Sequence, residues 1–113
     1  MSETLYKAIN TSTGQILATQ VKIASSFRSR SVGLLNRTSL DPQEALLIKP
    51  CNSIHTFFMK FPIDVIFLDK QGKVVKIVHN LKAWRLSEAM LTGYMVLELL
   101  GGKLQPNDVS FGQ

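Results

Sequence analysis

Two neighbouring strand-forming runs in the middle of the chain carry apolar residues on both of their faces. Residues Ile63–Asp69 and Lys73–His79 are separated by Lys70-Gln71-Gly72, which suits a type I turn closed by a left-handed glycine. That turn would place Asp69 opposite Lys73. Because an open sheet usually keeps one face polar, apolar residues on both faces predict a sandwich or a closed barrel.

Counting back from this turn assigns every side chain of the hairpin to a face. One face is predicted to carry Ile63, Val65, Phe67, Val75, Ile77 and His79, and the other Asp64, Ile66, Leu68, Val74, Lys76 and Val78. Asp64 is then a carboxylate on an otherwise apolar face, so it must find hydrogen bonds or a cation that offset its desolvation.

The remaining strand signals are shorter and are separated by turn residues. They predict strands at Leu5–Asn10, Gln15–Ala24, Ala45–Ile48, Ile54–Lys60, Tyr94–Leu100 and Val109–Phe111. Ser25 and Ser26 are good N-caps, and the apolar spacing after them predicts one helix over Ser26–Leu35. The predicted fold is mainly β, a small antiparallel β-sandwich or partly closed barrel with one short helix near the N-terminal third.

Length and composition indicate one globular domain, residues 1–113. The chain has 113 residues, of which 45% are hydrophobic and 19% charged. Its apolar runs are far shorter than the roughly 20 residues of a membrane helix. The start Met-Ser-Glu-Thr lacks secretory character, so the expected location is the cytoplasm.

Charge and metal-ligand residues narrow the classes of partner. The net charge is +5, but the basic residues are scattered, which favours a role in solubility over nucleic-acid binding. One cysteine, Cys51, and two histidines form no cluster at zinc-ligand spacing, and His79 would serve as a ligand only beside His55 and Asp64. We therefore expect no cofactor and no metal.

Several ordered motifs resemble those of a known family. They are Arg30-x-x-Gly33-Leu34-Leu35-x-Arg37, the run from His55 to Asp69, Gly72-Lys73-Val74-Val75, and Val96-Leu97-Glu98-Leu99. Together, over about residues 21–109, they resemble the domain-of-unknown-function 192 family, also called uncharacterised protein family 0127. The resemblance implies a compact, β-rich prokaryotic domain with no established reaction. This chain departs from the family pattern at Glu44, where a glycine is common, and at His55, where a tryptophan is common.

A candidate polar cluster follows from the buried carboxylate. Arg30 and Arg37 flank the predicted helix end, and an arginine fork could hold Asp64 with two hydrogen bonds. The alternatives are a structural ion pair and, with His55, a pocket for a small polar ligand. Glu98 lies in an apolar strand and also needs a cation, for which Arg37 and Lys76 are the candidates.

Two other groups of residues suggest chemistry or contact. Cys51 and His55 could form a nucleophile and base, but four extended residues span roughly 13 Å, so a structural cysteine is favoured. Trp84-Arg85 follows the hairpin in an irregular stretch. An exposed Trp-Arg pair would contact a protein partner or a stacked base, whereas core packing of Trp84 is the alternative.

The leading functional interpretation is a non-enzymatic binding or accessory domain with a small polar pocket or a partner surface. A hydrolase-like enzyme that uses Asp64 or His55 as a base is the first alternative, and a weak RNA-binding module is the second. An enzyme should lose turnover but keep its fold on His55→Ala. An RNA binder should lose affinity steeply as the salt concentration rises.

Overall fold

Six β-strands account for the regular structure in the part of the chain that the structure describes. The computed structural model describes residues 4–25, 34, 37–57, 59–87, 89–110 and 112–113. The strands are β1 (Tyr6–Asn10), β2 (Gln15–Ala24), β3 (Glu44–Ile48), β4 (Ile63–Leu68), β5 (Val74–Leu81) and β6 (Met95–Leu100). The prediction of a mainly β fold is confirmed.

No helix occurs in these described ranges, and none of their segments is a helix that could cross a membrane. The helix predicted over Ser26–Leu35 lies outside the described residues, apart from Leu34, which is in a turn. Two predicted strands also differ from the structure. Ile54–Lys60 contributes only the isolated bridge between His55 and Leu86, and Val109 and Ser110 are not in a strand.

All six strands belong to one mixed sheet with the order β1-β2-β3-β6-β4-β5. β2 and β3 run parallel, and the other neighbours run antiparallel. This corrects the prediction of an antiparallel sandwich or partly closed barrel, because the sheet is single, mixed and not closed. A parallel pair requires a crossover connection, and the chain between the end of β2 and the start of β3 is long enough to provide one.

Two apolar clusters, one on each face, explain why the central strands are apolar on both sides. The first cluster contains Ile48, Ile54, Met59, Phe61, Ile63, Val65, Phe67 and Val96, among others. The second contains Leu17, Val21, Ile66, Val74, Leu97, Leu99, Leu104 and Val109, among others. β4 lies between them and is almost completely buried, with Ile63, Val65 and Phe67 each 0% exposed. A double-sided core therefore does not require a second sheet.

The β4–β5 hairpin has the predicted turn but a different register. Leu68 lies opposite Val74, as the turn predicts, and the amide of Asp69 donates to the carbonyl of Lys73. An irregularity then shifts the pairing by one residue, so Phe67 lies opposite Lys76 and not Val75. One extra residue in a bulge reverses the faces of the residues that follow. The predicted faces of β5 are therefore correct for Val74 and Val75 but wrong for Lys76, Ile77 and Val78.

The C-terminal residues connect the two edges of the open sheet. On the β1 side, the Asn10 amide donates to the carbonyl of Asp108 (3.0 Å) and to the Gln113 side chain (2.8 Å). On the β5 side, Val74 exchanges backbone hydrogen bonds with Gly112 and Gln113. We call residues 105–113 the bridging segment, because it links the strands at opposite ends of the sheet order.

Candidate functional site

Asp64 is completely buried, and its carboxylate binds backbone amides. Oδ1 accepts hydrogen bonds from the amides of Asn80 (2.7 Å) and Gly102 (3.1 Å), and Oδ2 accepts one from Leu104 (2.8 Å). Three amide donors provide the compensation that a buried carboxylate needs. Asp64 therefore ties β4 to the end of β5 and to the turn after β6.

The local backbone is shaped to bring these amides to Asp64. A second irregularity in the β4–β5 pairing lies at Asp64, and Asn80 has a positive φ of 52°. A Cβ on Gly101 would lie 2.7 Å from the Asn80 side-chain oxygen and 2.9 Å from the Pro62 carbonyl. Only glycine fits this approach, so the turn depends on Gly101 as much as on Asp64.

Arg37 pairs with Glu44, not with Asp64. Its guanidinium donates to both carboxylate oxygens of Glu44, with NH2 to Oε1 at 3.0 Å and NH1 to Oε2 at 3.2 Å. This hydrogen bonding holds the pKa of Glu44 below its ordinary value. The departure from the family pattern at Glu44 thus has a local partner. Arg30, the other arginine predicted near Asp64, lies outside the described residues.

Glu98 is buried in the middle of the sheet. It lies on β6 between Leu46 of β3 and Val65 of β4, and it is 4% exposed. Burial raises the pKa of Glu98 to about 7, because desolvation penalises the charged carboxylate. Of the two cations predicted for it, Arg37 pairs with Glu44, and the backbone of Lys76 lies opposite Phe67.

Three aromatic side chains form a connected group at the protein surface. The rings of His55 and Phe57 are stacked with centroids 5.1 Å apart, and the rings of Phe57 and Trp84 are 6.1 Å apart. Phe57 is 37% exposed and Trp84 56% exposed. Leu86, which is 71% exposed, is bridged to His55. We call His55, Phe57, Trp84 and Leu86 the aromatic surface.

The buried hydroxyl of Thr56 holds this surface in place. Thr56 Oγ1 donates to the carbonyl of Lys82 (2.5 Å) and accepts from the amide of Arg85 (2.9 Å). The backbone of Thr56 also accepts from Trp84 and donates to Arg85. These bonds fix the loop 82–87 against residues 54–57. Trp84 lies in this loop with a φ of 64°, a left-handed conformation that bulky residues rarely adopt.

The described charges beside the aromatic surface are positive. Lys82 and Arg85 are exposed and lie in the loop 82–87, which carries Trp84. The acidic residue that follows this loop in the sequence, Glu88, lies outside the described residues. The surface therefore combines aromatic area with cations.

The other predicted candidates make separate contacts. The thiol of Cys51 donates to the carbonyl of Ser53 (3.0 Å), whereas the imidazole of His55 stacks on Phe57. His79 is exposed on β5, one residue from Asn80. Among the described residues, no three histidine, cysteine or acidic side chains come together as a metal site.

Among the described residues of the predicted polar cluster, Asp64 binds backbone amides and Arg37 binds Glu44. Two other predictions come together. His55 and the Trp84-Arg85 pair, which the sequence treated independently, lie in one surface. Sequence reasoning missed Phe57 and Thr56, because both were assigned to a strand. Two signals argue against a strand over residues 54–60 and could have identified both residues. One is the neighbouring Pro62, and the other is the lack of a predicted strand with which this segment would pair.

Comparisons with known proteins place the chain in a family. The family model for DUF192, described as "Uncharacterized ACR", matches residues 8–113. A UPF0127 protein of Pyrococcus horikoshii is 44% identical over 73 residues, which is 59% of this chain and 60% of that protein. A UPF0127 protein of Thermococcus sibiricus is 37% identical over 84 residues, 68% of this chain and 52% of that protein. The match therefore spans little more than half the length of these relatives.

Two crystal structures share the fold. A "putative transcription regulator" from Sinorhizobium meliloti 1021 has a TM-score of 0.79 and 22% identity, covering 98% of this chain and 94% of that one. A protein of unknown function from Novosphingobium aromaticivorans has a TM-score of 0.68 and 21% identity, covering 88% and 84%. At such identities the likeness concerns the fold alone. The family match over residues 8–113, in contrast, shows that this chain belongs to the DUF192 family of uncharacterised proteins.

Proposed function

We propose that this protein is a binding domain without a reaction of its own, and that it engages a protein partner through the aromatic surface and Arg85. The observation that carries the proposal is the exposure of Trp84, which is 56% exposed on a loop held by buried hydrogen bonds. Tryptophan, phenylalanine and arginine are enriched at protein interfaces, and tryptophan and arginine dominate their binding energy.

Preorganisation supports this assignment. The backbone of Trp84 is held at positive φ, a conformation that costs free energy in the isolated protein. Because Thr56 fixes the loop before binding, little conformational entropy remains to be lost when a partner docks. The cost of presenting this ring outward is consistent with a role for the ring itself.

The charges of the same segments indicate the chemistry of the partner. Lys82 and Arg85 flank Trp84 in the sequence of the loop 82–87, and both are exposed. A partner segment with an apolar side chain flanked by acidic residues would complement both features. The small polar pocket expected from the sequence is not part of this proposal, because Asp64 binds backbone amides and Arg37 binds Glu44.

A second candidate is single-stranded RNA. Stacked aromatic rings next to basic side chains form the kind of platform on which bases stack. The ring group of His55, Phe57 and Trp84 favours this candidate. Its binding should weaken steeply with salt, whereas an apolar protein contact should weaken less.

Site-specific photo-crosslinking in cells of the native host tests the first candidate. A benzophenone amino acid replaces Phe57 in the aromatic surface or, as a matched control, Ile16, which is similarly exposed at 48% on β2. We expect a discrete protein adduct from position 57 and none from position 16. In the protein that carries the benzophenone amino acid at position 57, the further substitutions Trp84→Ala and Arg85→Glu should each abolish the adduct. Equal labelling from both positions would contradict the proposal.

Fluorescence tests the second candidate, because Trp84 is the single tryptophan of the chain. Titration with oligouridine should quench Trp84 saturably if RNA is the ligand, with an apparent affinity that falls as salt rises. A nuclease-sensitive adduct at position 57 would support the same conclusion. An unchanged emission spectrum, together with a protein adduct, would exclude the RNA candidate.

A further inference from the structure

A cavity of about 350 Å³ lies on the face of the sheet that carries the second apolar cluster, away from the aromatic surface. It opens between the edge strand β1 and the β4–β5 hairpin. Its floor is a row of apolar side chains from four adjacent strands, which lie opposite one another in the sheet. These are Ile23, Leu47, Leu97 and Ile66.

The bridging segment forms one wall of the cavity. Val109 and Gln113 line it, and the hydrogen bonds of Asn10 and Val74 hold this segment against both edges of the sheet. The cavity is therefore built by four separate parts of the chain: β1, the sheet floor, the β4–β5 turn and the bridging segment. A volume above roughly 300 Å³ with mainly apolar walls is typical of a small-molecule site.

The charge at the described lining of this cavity is positive. Among the described residues that line the cavity, the charged side chain is Lys7, which is exposed at its rim. No described carboxylate lies within ion-pair distance of Lys7. An apolar interior with a cation at the rim complements an amphiphile that has an anionic head.

We propose that this cavity binds a medium-length acyl chain whose carboxylate lies beside Lys7. At about 30 Å³ for each water-sized group, the cavity holds roughly twelve such groups. Decanoate has a matching number of non-hydrogen atoms, so it is the appropriate probe. The proposal is independent of the partner contact, because the segments of the aromatic surface pack into the first apolar cluster through Ile54 and Met59.

The test is a titration of the full chain with decanoate below its micelle-forming concentration, followed by calorimetry and two-dimensional amide NMR. We expect saturable one-to-one binding. The shifted amides should belong to residues 6–11, 66–74 and 109–113. Shifts concentrated at residues 54–57 and 82–87, or no saturable binding, would overturn the proposal.

Two pairs of variants separate the cavity from general hydrophobic adsorption. Ala8→Phe adds a ring at a half-buried position of the lining, whereas Ile16→Phe adds bulk to an exposed residue outside it. Binding should disappear in the first variant and persist in the second. Binding that survives Ala8→Phe in a folded protein would overturn the proposal.

The head-group contact is tested by Lys7→Gln. Unlike Ala8→Phe, this substitution adds no bulk to the lining of the cavity. An exposed ion pair contributes little, so decanoate affinity should fall only about three-fold, and the affinity for decanol should stay unchanged. Lys60→Gln, at an exposed residue that does not line the cavity, is the matched control and should alter neither. Equal changes for decanoate and decanol would contradict the assignment of the carboxylate to Lys7. A stable dimer that buries β1 and excludes decanoate would replace the acyl chain with a second copy of the protein.

Discussion

At the scale of single residues, two buried carboxylates on adjacent strands have opposite environments. Asp64 accepts three backbone hydrogen bonds, whereas Glu98 is surrounded by the side chains of an apolar face. The same charge is therefore stabilising at one position and costly at the other. Each environment leads to a separate prediction.

Replacing Asp64 by Asn should destabilise the fold. The amide nitrogen of Asn would meet a backbone N–H, so at least one of the three hydrogen bonds is lost, and we expect a loss of about 2–4 kcal/mol in the free energy of unfolding. Urea denaturation measures it. Asp69→Asn is the control, because both backbone bonds of Asp69 are made by Oδ1, which Asn retains. Equal effects at the two sites would contradict the structural role of Asp64.

Replacing Glu98 by Gln should remove a pH dependence of stability. The folded protein holds the Glu98 proton more tightly, with the pKa raised from 4.5 to about 7, so stability falls as the pH rises through this range. Above about pH 7, the variant should be more stable than the wild type by roughly 3 kcal/mol. The difference should shrink to near zero below pH 4.5. Thermal melting at several pH values measures it, and a constant difference between the proteins would contradict the prediction.

At the scale of elements, the sequence located most strands but not their arrangement. The opening hairpin, β3, β4 and β6 lie close to their predicted bounds, because turn residues and apolar runs mark them locally. The predicted register of β5 was wrong because a bulge leaves no local sequence signal in a strand that is apolar on both faces. The strand predicted over residues 54–60 was wrong because an irregular segment packed over the core also carries apolar residues.

The candidate site was predictable only in part, for a related physical reason. His55, Trp84 and Arg85 were singled out by residue type, yet their proximity depends on contacts between segments about 30 residues apart in the chain. The pairing of Arg37 with Glu44 was missed because Asp64 and Glu98, which lie in apolar strands, were the carboxylates that required a cation, and the sequence alone gives no distances.

The loop 82–87 allows a backbone test of the aromatic surface. Trp84→Gly and Trp84→Ala both remove the ring, but only glycine adopts the positive φ of this position without strain. The glycine variant should therefore be more stable than the alanine variant by about 1 kcal/mol. At Lys82, which has no positive φ, the order should be reversed. Urea midpoints for the four variants measure both differences, and the same order at both positions would contradict the left-handed conformation.

At the scale of the whole molecule, the bridging segment joins the two edges of an open sheet. Asn10→Ala removes the side-chain amide that donates to Asp108 and Gln113, and we expect a loss of about 1–3 kcal/mol because two part-buried hydrogen bonds disappear. Hydrogen exchange should accelerate first at Gly112 and Val74. Gln15→Ala removes an exposed bond to Asp108 and is the control, with a small effect. Unchanged protection at Gly112 in Asn10→Ala would contradict the bridging role.

The position of β6 has a consequence for how the protein is made. Of the six described strands, β6 comes last along the chain but lies in the middle of the sheet, where it pairs with both β3 and β4. The halves β1–β3 and β4–β5 cannot join until Met95–Leu100 has left the ribosome. Nascent chains shorter than this should expose the inner edges of β3 and β4, which are open to chaperones and to pairing with other chains. Folding should then be late, cooperative and comparatively slow, as expected when the decisive contacts are distant in sequence.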